Sequence, residues 1–483
     1  MELQKLLAGV EVLQWGAEKN TKICSVRYSS REVQPGDLFV AIPGFATDGH
    51  KYIPDAVARG AAAVICQRQM PENAPWVQVK DARLALATLG ENFYGHPAKK
   101  LQMIGVTGTN GKTSVTYLLK ELLQRALGAK VGLIGTICNM IGDEVIPTER
   151  TTPESFELQA LLAKMAEAGC THVVMEVSSH ALALHRVAGI RFSVGAFSNL
   201  TEDHLDFHKT MEEYRRAKAR LFSACDRGVF NLDDPTAEQM IADAHCGIFT
   251  VSTREAADLR AENILLESDR IEMDVRQEGE SAHLTLGIPG RFTVSNALLT
   301  LGIARQLGID LQQAVSALSC AKGVKGRIEV VPTPGKDYTV LIDYAHTPDG
   351  LENVLRSVRD FAKGRVIALF GCGGDRDRAK RPMMGEIAAA CADLVIVTSD
   401  NPRTEEPDAI IADILEGMQQ TQSPYVVEPD RRKAIRLALS LGQKDDIIVL
   451  AGKGHEDYQI IGKEKFHLDE REEVAAALWE EKQ

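Results

Sequence analysis

No run of about 18 apolar residues occurs in this chain, and no basic leader with an apolar core opens it. These absences argue against a membrane-spanning helix and a secretory signal, so the expectation is a cytoplasmic protein without membrane insertion. Cysteine is present but unpatterned: nine scattered residues, an odd number without a C-x-x-C pair, suit reduced thiols better than disulfides or structural zinc. A basic excess is also missing. The formal net charge of −12 argues against a nucleic-acid binder, while local cationic pockets can still hold small anions. Neither an internal repeat of roughly 20–50 residues nor a low-complexity tract is found.

What remains is a long chain of ordinary globular composition, 45% hydrophobic and 25% charged. Its 483 residues call for about two to four domains. Short strands and small-residue helices occupy 1–97, and Gly95-His96-Pro97 with Lys99-Lys100 reads as a linker. Over 98–331, apolar strands at Met103–Val106, Val131–Ile137, His172–Val177, Val194–Phe197 and Val229–Leu232 alternate with helices, which implies a largely parallel sheet. Residues 264–289 read instead as an antiparallel meander. A third series over 332–483 has strands at Val340–Ile342, Val366–Phe370, Leu394–Thr398 and Ile447–Leu450. The expected fold class is α/β, with three domains: a smaller mixed N-terminal one, a central P-loop domain and a Rossmann-like C-terminal one.

The most informative segment is Leu101–Ser114, an apolar strand running through a glycine-rich turn into Lys112, Thr113 and a helix. Val115, Leu118, Leu119, Leu122, Leu123 and Ala126 recur at helical spacing before Gly128. Such a turn aims backbone N–H groups, a helix N-terminus and an ammonium at one point, which suits polyphosphate. Thr113 can offer a hydroxyl to an accompanying Mg²⁺. Val106 stands where the usual motif has its first glycine, giving G-x-x-G-x-N-G-K-T-S from Gly105. Glu176, closing the strand Thr171–Val177, sits where a carboxylate for that cation belongs.

Other clusters are more open to interpretation. Asn199–His208 packs two histidines and three acids into ten residues and fits a metal site, a substrate loop or a solvated turn. A capping box, Thr210-Met-Glu-Glu213, starts the next helix, and Lys218 shares its apolar face with Met211, Tyr214, Leu221 and Phe222. A lysine there either snorkels to solvent or is buried for chemistry. In the last series, Asp343–Pro348, Gly371–Pro382, Asp400–Arg403 and Gly452–Glu456 each follow a strand, where open α/β sheets bind ligands.

With these motifs the chain resembles the Mur ligases, ATP-dependent amino-acid ligases of bacterial cell-wall synthesis, over essentially its whole length. G-x-x-G-x-N-G-K-T-S and D-Y-A-H-T-P carry the superfamily resemblance; G-C-G-G-D-R-D, D-N-P-R and G-K-G-H-E-D-Y narrow it to a member using meso-diaminopimelate. The resemblance implies that Gly108, Thr109, Asn110, Gly111, Lys112, Thr113 and Ser114 hold the ATP phosphates, with Thr113 and Glu176 on Mg²⁺. It further implies nucleotide contacts from Asn296, Arg327 and Asp343, and a carbamylated Lys218 on a second Mg²⁺, with His204 beside it. Ser30 would meet the UDP moiety, and Thr151, Thr152, Ser178 and Arg186 the muramoyl-dipeptide. Arg376, Asp400, Asn401, Pro402, Arg403, Gly452 and Glu456 would form the amino-acid pocket. There Arg403 would fork onto the distal carboxylate of meso-diaminopimelate, a group lysine lacks. His346 is a candidate to assist amine deprotonation. Ser29, Arg150 and Leu184 depart from the commonest family pattern and put single substrate contacts in question. The implied reaction passes through an acyl phosphate, with domain closure completing the site and a monomer as the default state. Competing readings are the same ligation with L-lysine, a folylpolyglutamate-synthase-like ligase, and a non-catalytic regulator that binds UDP-sugars or nucleotides.

Overall fold

The computed structural model describes every residue except 45–46, 69–74, 149, 420, 422 and 481–483, and of Asp206 only the backbone. The chain forms two compact units: Met1–Val251 with Gly302–Ile309, and Ser252–Leu301 with Asp310–Gln483.

The first unit holds two sheets. The smaller runs Val12–Trp15, Trp76–Val79, Ala63–Cys66, Leu38–Val40, Val26–Arg27, parallel throughout except at the first pair. Asp81 caps the helix Ala82–Phe93 by accepting from the Arg83 and Leu84 amides, and its Ala82, Ala85, Leu86 and Leu89 pack against that sheet. In the larger sheet, Gln102–Thr107 lies centrally between His172–Glu176 and Phe192–Phe197, all parallel. Met103, Ile104 and Val106 are fully buried, as a near-continuous apolar run on a two-sided sheet must be. Val106 is in register with Glu176, so the phosphate-type loop and that carboxylate leave the sheet at the same edge.

One strand is shorter than its apolar run suggests. Val131–Ile134 stops before Gly135, because the Thr136 amide donates to Glu176 Oε1 at 2.8 Å instead of joining a strand ladder. The chain then turns back in an antiparallel hairpin, Asn139–Ile141 and Glu144–Ile146.

In the second unit the meander expected near 264–289 is Leu259–Leu266, Ile271–Gln277 and Glu280–Leu286, antiparallel throughout. Ala282, Leu284 and Leu286 alternate inward, as period-two patterning requires. The C-terminal sheet runs Glu329–Val331, Thr339–Asp343, Ile447–Ala451, Val366–Phe370, Leu394–Val397, Tyr425–Val427, parallel after its first pair. Asp343, the Gly371 loop, the Asp400 loop and the Gly452 loop therefore all leave one edge of this sheet, at the strands' carboxyl ends.

Candidate active site

Three segments build the loop around Lys112. Gly111 caps the helix Lys112–Leu127 in the left-handed region, where a side chain would cost strain. Gly108 passes so close to Ser198 that a Cβ would stand 1.9 Å from its Oγ. Residues 198–201 then brace the turn from outside. Asn199 Oδ1 accepts from the Asn110 amide at 2.9 Å, Ser198 Oγ donates to the Asn110 carbonyl at 2.6 Å, and Thr109 Oγ1 donates to the Thr201 carbonyl at 3.1 Å. Ser114 lies on the first helical turn.

Two lysines share this loop. Lys112 Nζ donates to the carbonyls of Gly108 (2.9 Å) and Thr109 (2.7 Å). Burial lowers its pKa, opposed by Glu176 and Asp203. Lys218 does not snorkel: it is buried, donates to the Gly108 carbonyl at 2.8 Å and lies 4.3 Å from the Tyr214 ring centroid. Burial, reinforced by the charge of Lys112 and opposed by Asp203, holds its pKa well below that of an ordinary lysine. It is therefore an amine biased toward its neutral, nucleophilic form.

Glu176 is buried and organised. Oε1 accepts from Thr113 Oγ1 (3.0 Å) and the Thr136 amide, and Oε2 accepts from Thr136 Oγ1 (3.0 Å). Thr136 also reaches Thr151 Oγ1 at 3.0 Å, and Thr152 Oγ1 donates to the Glu176 carbonyl at 2.8 Å. A carboxylate and a hydroxyl on one point are the hard oxygen donors that Mg²⁺ takes. Lys112, Thr113, Glu176 and Lys218 thus come together. His204 is exposed, with Nδ1 3.3 Å from Asp203 and its ring 4.8 Å from that of His180. It makes no hydrogen bond or ion pair with Glu176 or Lys218 among the described residues. Among those residues no three His, Cys, Asp or Glu side chains converge as a metal site.

A cavity of about 620 Å³ in the same unit is lined by Ser30, Arg83, Arg150, Glu154, Leu184 and Arg186 among others. Glu154 Oε2 gathers Arg186 (3.3 Å), Arg83 (3.6 Å) and Arg150 (3.9 Å), leaving cationic charge in excess. Arg186 Nη1 also donates to the Thr152 carbonyl at 3.1 Å, and Ser178 caps the helix Ser179–Ala183 beside it. Ser29, Arg150 and Leu184, the positions expected to depart from the commonest family pattern, all line this cavity.

In the second unit, Asp343 is buried and accepts from the Ile328 (2.8 Å) and Ala345 (2.9 Å) amides. Burial raises its pKa, against Arg327 and those amides. The Arg327 guanidinium lies 5.5 Å from the Tyr344 ring centroid. Gly326 packs on the Gly454 backbone, where a Cβ would stand 2.1 Å from a carbonyl carbon, tying this turn to the Gly452 loop. Asn296 is buried on the helix Arg291–Gln306. His346 Nδ1 is 2.8 Å from the Tyr344 carbonyl, which can only accept, so the neutral ring keeps Nε2 unprotonated.

The loops that follow the C-terminal strands interlock. The Gly374 amide donates to the Asn401 carbonyl at 2.9 Å, and Arg403 Nη1 donates to the Gly374 carbonyl at 2.8 Å. Arg403 holds a left-handed φ of 52°, uncommon for a side chain of its size. Asn401 Nδ2 donates to Glu456 Oε2 at 3.0 Å. The Gly452 amide donates to the Asp343 carbonyl at 3.0 Å, and Pro402 adjoins Arg403. Arg376 is exposed and donates to the Asp375 carbonyl at 3.2 Å. Sequence reasoning missed four members of these sites: Thr136, Arg83, Glu154 and Lys453. Two of them carried a signal: Thr136 follows a glycine at a strand exit, and Lys453 lies inside the G-K-G-H-E motif, which was given no role for its lysine.

The strand, glycine loop and lysine-led helix, with a carboxylate one strand away, define a P-loop nucleotide-binding protein. Three family descriptions match consecutive parts of the chain: "Mur ligase family, catalytic domain" at 22–94, "Mur ligase middle domain" at 106–304, and "Mur ligase, glutamate ligase domain" at 326–454. The chain belongs to the Mur ligase family, whose members are ATP-dependent, ADP-forming ligases. It is 49% identical to the UDP-N-acetylmuramoyl-L-alanyl-D-glutamate--2,6-diaminopimelate ligase of Caldanaerobacter subterraneus subsp. tengcongensis, covering 99% of both chains. It is 46% identical to UDP-N-acetylmuramoyl-L-alanyl-D-glutamate--2,6-diaminopimelate ligase 1 of Clostridium acetobutylicum, over 99% of this chain and all of that one. A solved UDP-N-acetylmuramoyl-L-alanyl-D-glutamate--2,6-diaminopimelate ligase superposes with a TM-score of 0.77 at 33% identity, covering 100% and 99% of the two chains.

Proposed function

We propose that this protein joins an amino group of meso-diaminopimelate to the D-glutamate side-chain carboxylate of UDP-N-acetylmuramoyl-L-alanyl-D-glutamate, converting ATP to ADP and phosphate. The observation that carries the choice of amino acid is Arg403, tethered to Gly374, on the same interlocked loops as Glu456. One cation and one anion suit the distal carboxylate and ammonium of meso-diaminopimelate. Lysine would bring an ammonium alone and leave the guanidinium unpaired.

In this reading Lys112 and the amides of Gly108 to Ser114 cradle the ATP phosphates. Thr113 and Glu176 would hold Mg²⁺, which supplies neutralisation of charge on the transferring phosphoryl group. Lys218, biased toward its neutral amine, attacks CO₂ at carbon and releases a proton, leaving a carbamate suited to a second cation. The cationic cavity around Arg186, with Ser30, Thr152 and Ser178, takes the anionic UDP-dipeptide. The substrate carboxylate accepts the γ-phosphoryl group; the incoming amine then attacks that carbonyl carbon, and phosphate leaves. His346, whose Nε2 is left free to accept by the contact of Nδ1 with the Tyr344 carbonyl, would take the proton that the amine must lose before attack.

The test is phosphate release by purified protein with ATP, Mg²⁺ and the UDP-dipeptide, with each amino acid added separately. Release with meso-diaminopimelate and little with L-lysine is expected. Release with L-lysine in preference would overturn the assignment to Arg403, and release with neither would overturn the reaction.

A further inference from the structure

Lys453 is fully buried, yet no step above uses it. Its ammonium donates to Asn401 Oδ1 at 2.7 Å and to Glu456 Oε2 at 3.4 Å, and pairs by charge with Asp400 Oδ1 at 3.1 Å. All three belong to the loops assigned above to the amino acid. Asn401 is fixed further by the Ile460 amide, which donates to the same Oδ1 at 2.9 Å. Next to this group lies a second buried pair, Arg431 with Glu470 at 2.7 Å, and Arg431 also donates to the Ala451 carbonyl at 2.8 Å.

Counting charges decides what this cluster can bind. Asp400, Glu456 and Glu470 contribute three negative charges, and Lys453 and Arg431 two positive ones. One negative charge is left over in a place largely closed to water. Burial pushes the Asp400 carboxyl up, but Lys453 and Arg431 outweigh it and hold it below its ordinary value. Glu456 gives Oε2 to Asn401 and Lys453 and is only partly buried, so its Oε1 is not used by either partner. The pocket therefore matches one ammonium, with the Arg403 guanidinium as a separate site for a carboxylate.

We propose that Lys453 is a positioning residue that sets this charge balance: it neutralises Asp400 and orients Glu456, so that the pocket takes the distal ammonium of a zwitterionic amino-acid end. The proposal rests on the function proposed above. Without Lys453, Asp400 and Glu456 would face each other unbalanced, and Glu456, the less buried of the two, would turn away and no longer meet the ammonium. Removing Asp400 instead would leave no net charge and a weaker grip on an ammonium. Removing both restores the single excess negative charge.

The experiment measures KM for each substrate in the wild type, Lys453→Met, Asp400→Asn and the double variant. Lys453→Met is expected to raise KM for meso-diaminopimelate about tenfold or more, and to leave KM for ATP and the UDP-dipeptide within about twofold. In the Asp400→Asn background the same substitution is expected to lower KM for meso-diaminopimelate, a reversal of sign that a packing role for Lys453 does not produce. This second comparison holds even if Lys453→Met alone fails to fold. Equal losses for all substrates, a fall in kcat alone, or a further rise of KM in the double variant would overturn the proposal. A wild type that does not use meso-diaminopimelate would overturn the underlying function instead, so the two failures are distinguishable.

Discussion

Lys218 is an ammonium placed where an ammonium is least stable, buried beside Lys112, and this has a measurable sign. Its folded pKa lies below its unfolded one, so between the two values the unfolded chain binds the extra proton and stability rises with pH. In CO₂-free buffer, Lys218→Met is expected to melt at a higher temperature than the wild type at pH 7. The gap should narrow as pH approaches the ordinary lysine value of about 10.4. A gap independent of pH would contradict the burial argument. Glu176 offers a steric test: a Cβ on Gly135 would stand 2.5 Å from its Oε1, so Gly135→Ala must displace that carboxylate. Phosphate release should fall about 10²-fold, with thermal melting little changed. At this scale Lys112, Thr113 and Glu176 were legible because each occupies a fixed place relative to a strand end. Lys218 was only half legible, since an apolar helical face is compatible with snorkelling as well as burial. Thr136, Arg83 and Glu154 were not, because their roles come from contacts between segments far apart in sequence.

Among the elements, the parallel strands were legible from their apolar runs, with ends within a few residues of those observed. The hairpin Asn139–Ile146 was not, because its strands are three residues long and the chain reversal that leads into it starts at the bond between Thr136 and Glu176. The loops at the carboxyl ends of the C-terminal sheet were read correctly as a group, since β/α alternation puts them on one edge. What holds that edge was invisible. Arg431, on the helix Arg431–Leu441, reaches Glu470 at the start of Glu470–Glu480 and the Ala451 carbonyl at the end of a strand. Burial raises the Glu470 pKa, opposed by Arg431, so losing the acid strands a buried guanidinium. Glu470→Ala is therefore expected to destabilise the protein by about 3–5 kcal/mol, read from urea unfolding. A loss under about 1 kcal/mol would mean that the pair is worth no more than one at the surface.

For the molecule as a whole, the net charge of −12 does not oppose the proposed function, because local cationic sites can hold the anionic ATP and UDP-dipeptide. The proposed function rests on local reversals of that field, at the Glu154-gathered arginines, at Lys112 and at Arg403. No helix among the described residues is long and apolar enough to cross a membrane. The proposed selectivity is for an amino acid bearing both a carboxylate and an ammonium at its far end, set by Arg403 with the Asp400–Glu456 group. It is tested most directly by supplying meso-diaminopimelate and L-lysine together in equal amounts, with ATP and the UDP-dipeptide, and weighing the products by mass spectrometry. Wild type should yield the diaminopimelyl product almost alone, and Arg403→Ala should lose that preference by about 10²-fold or more. A dominant lysyl product from the wild type, or an unchanged ratio in Arg403→Ala, would contradict the account.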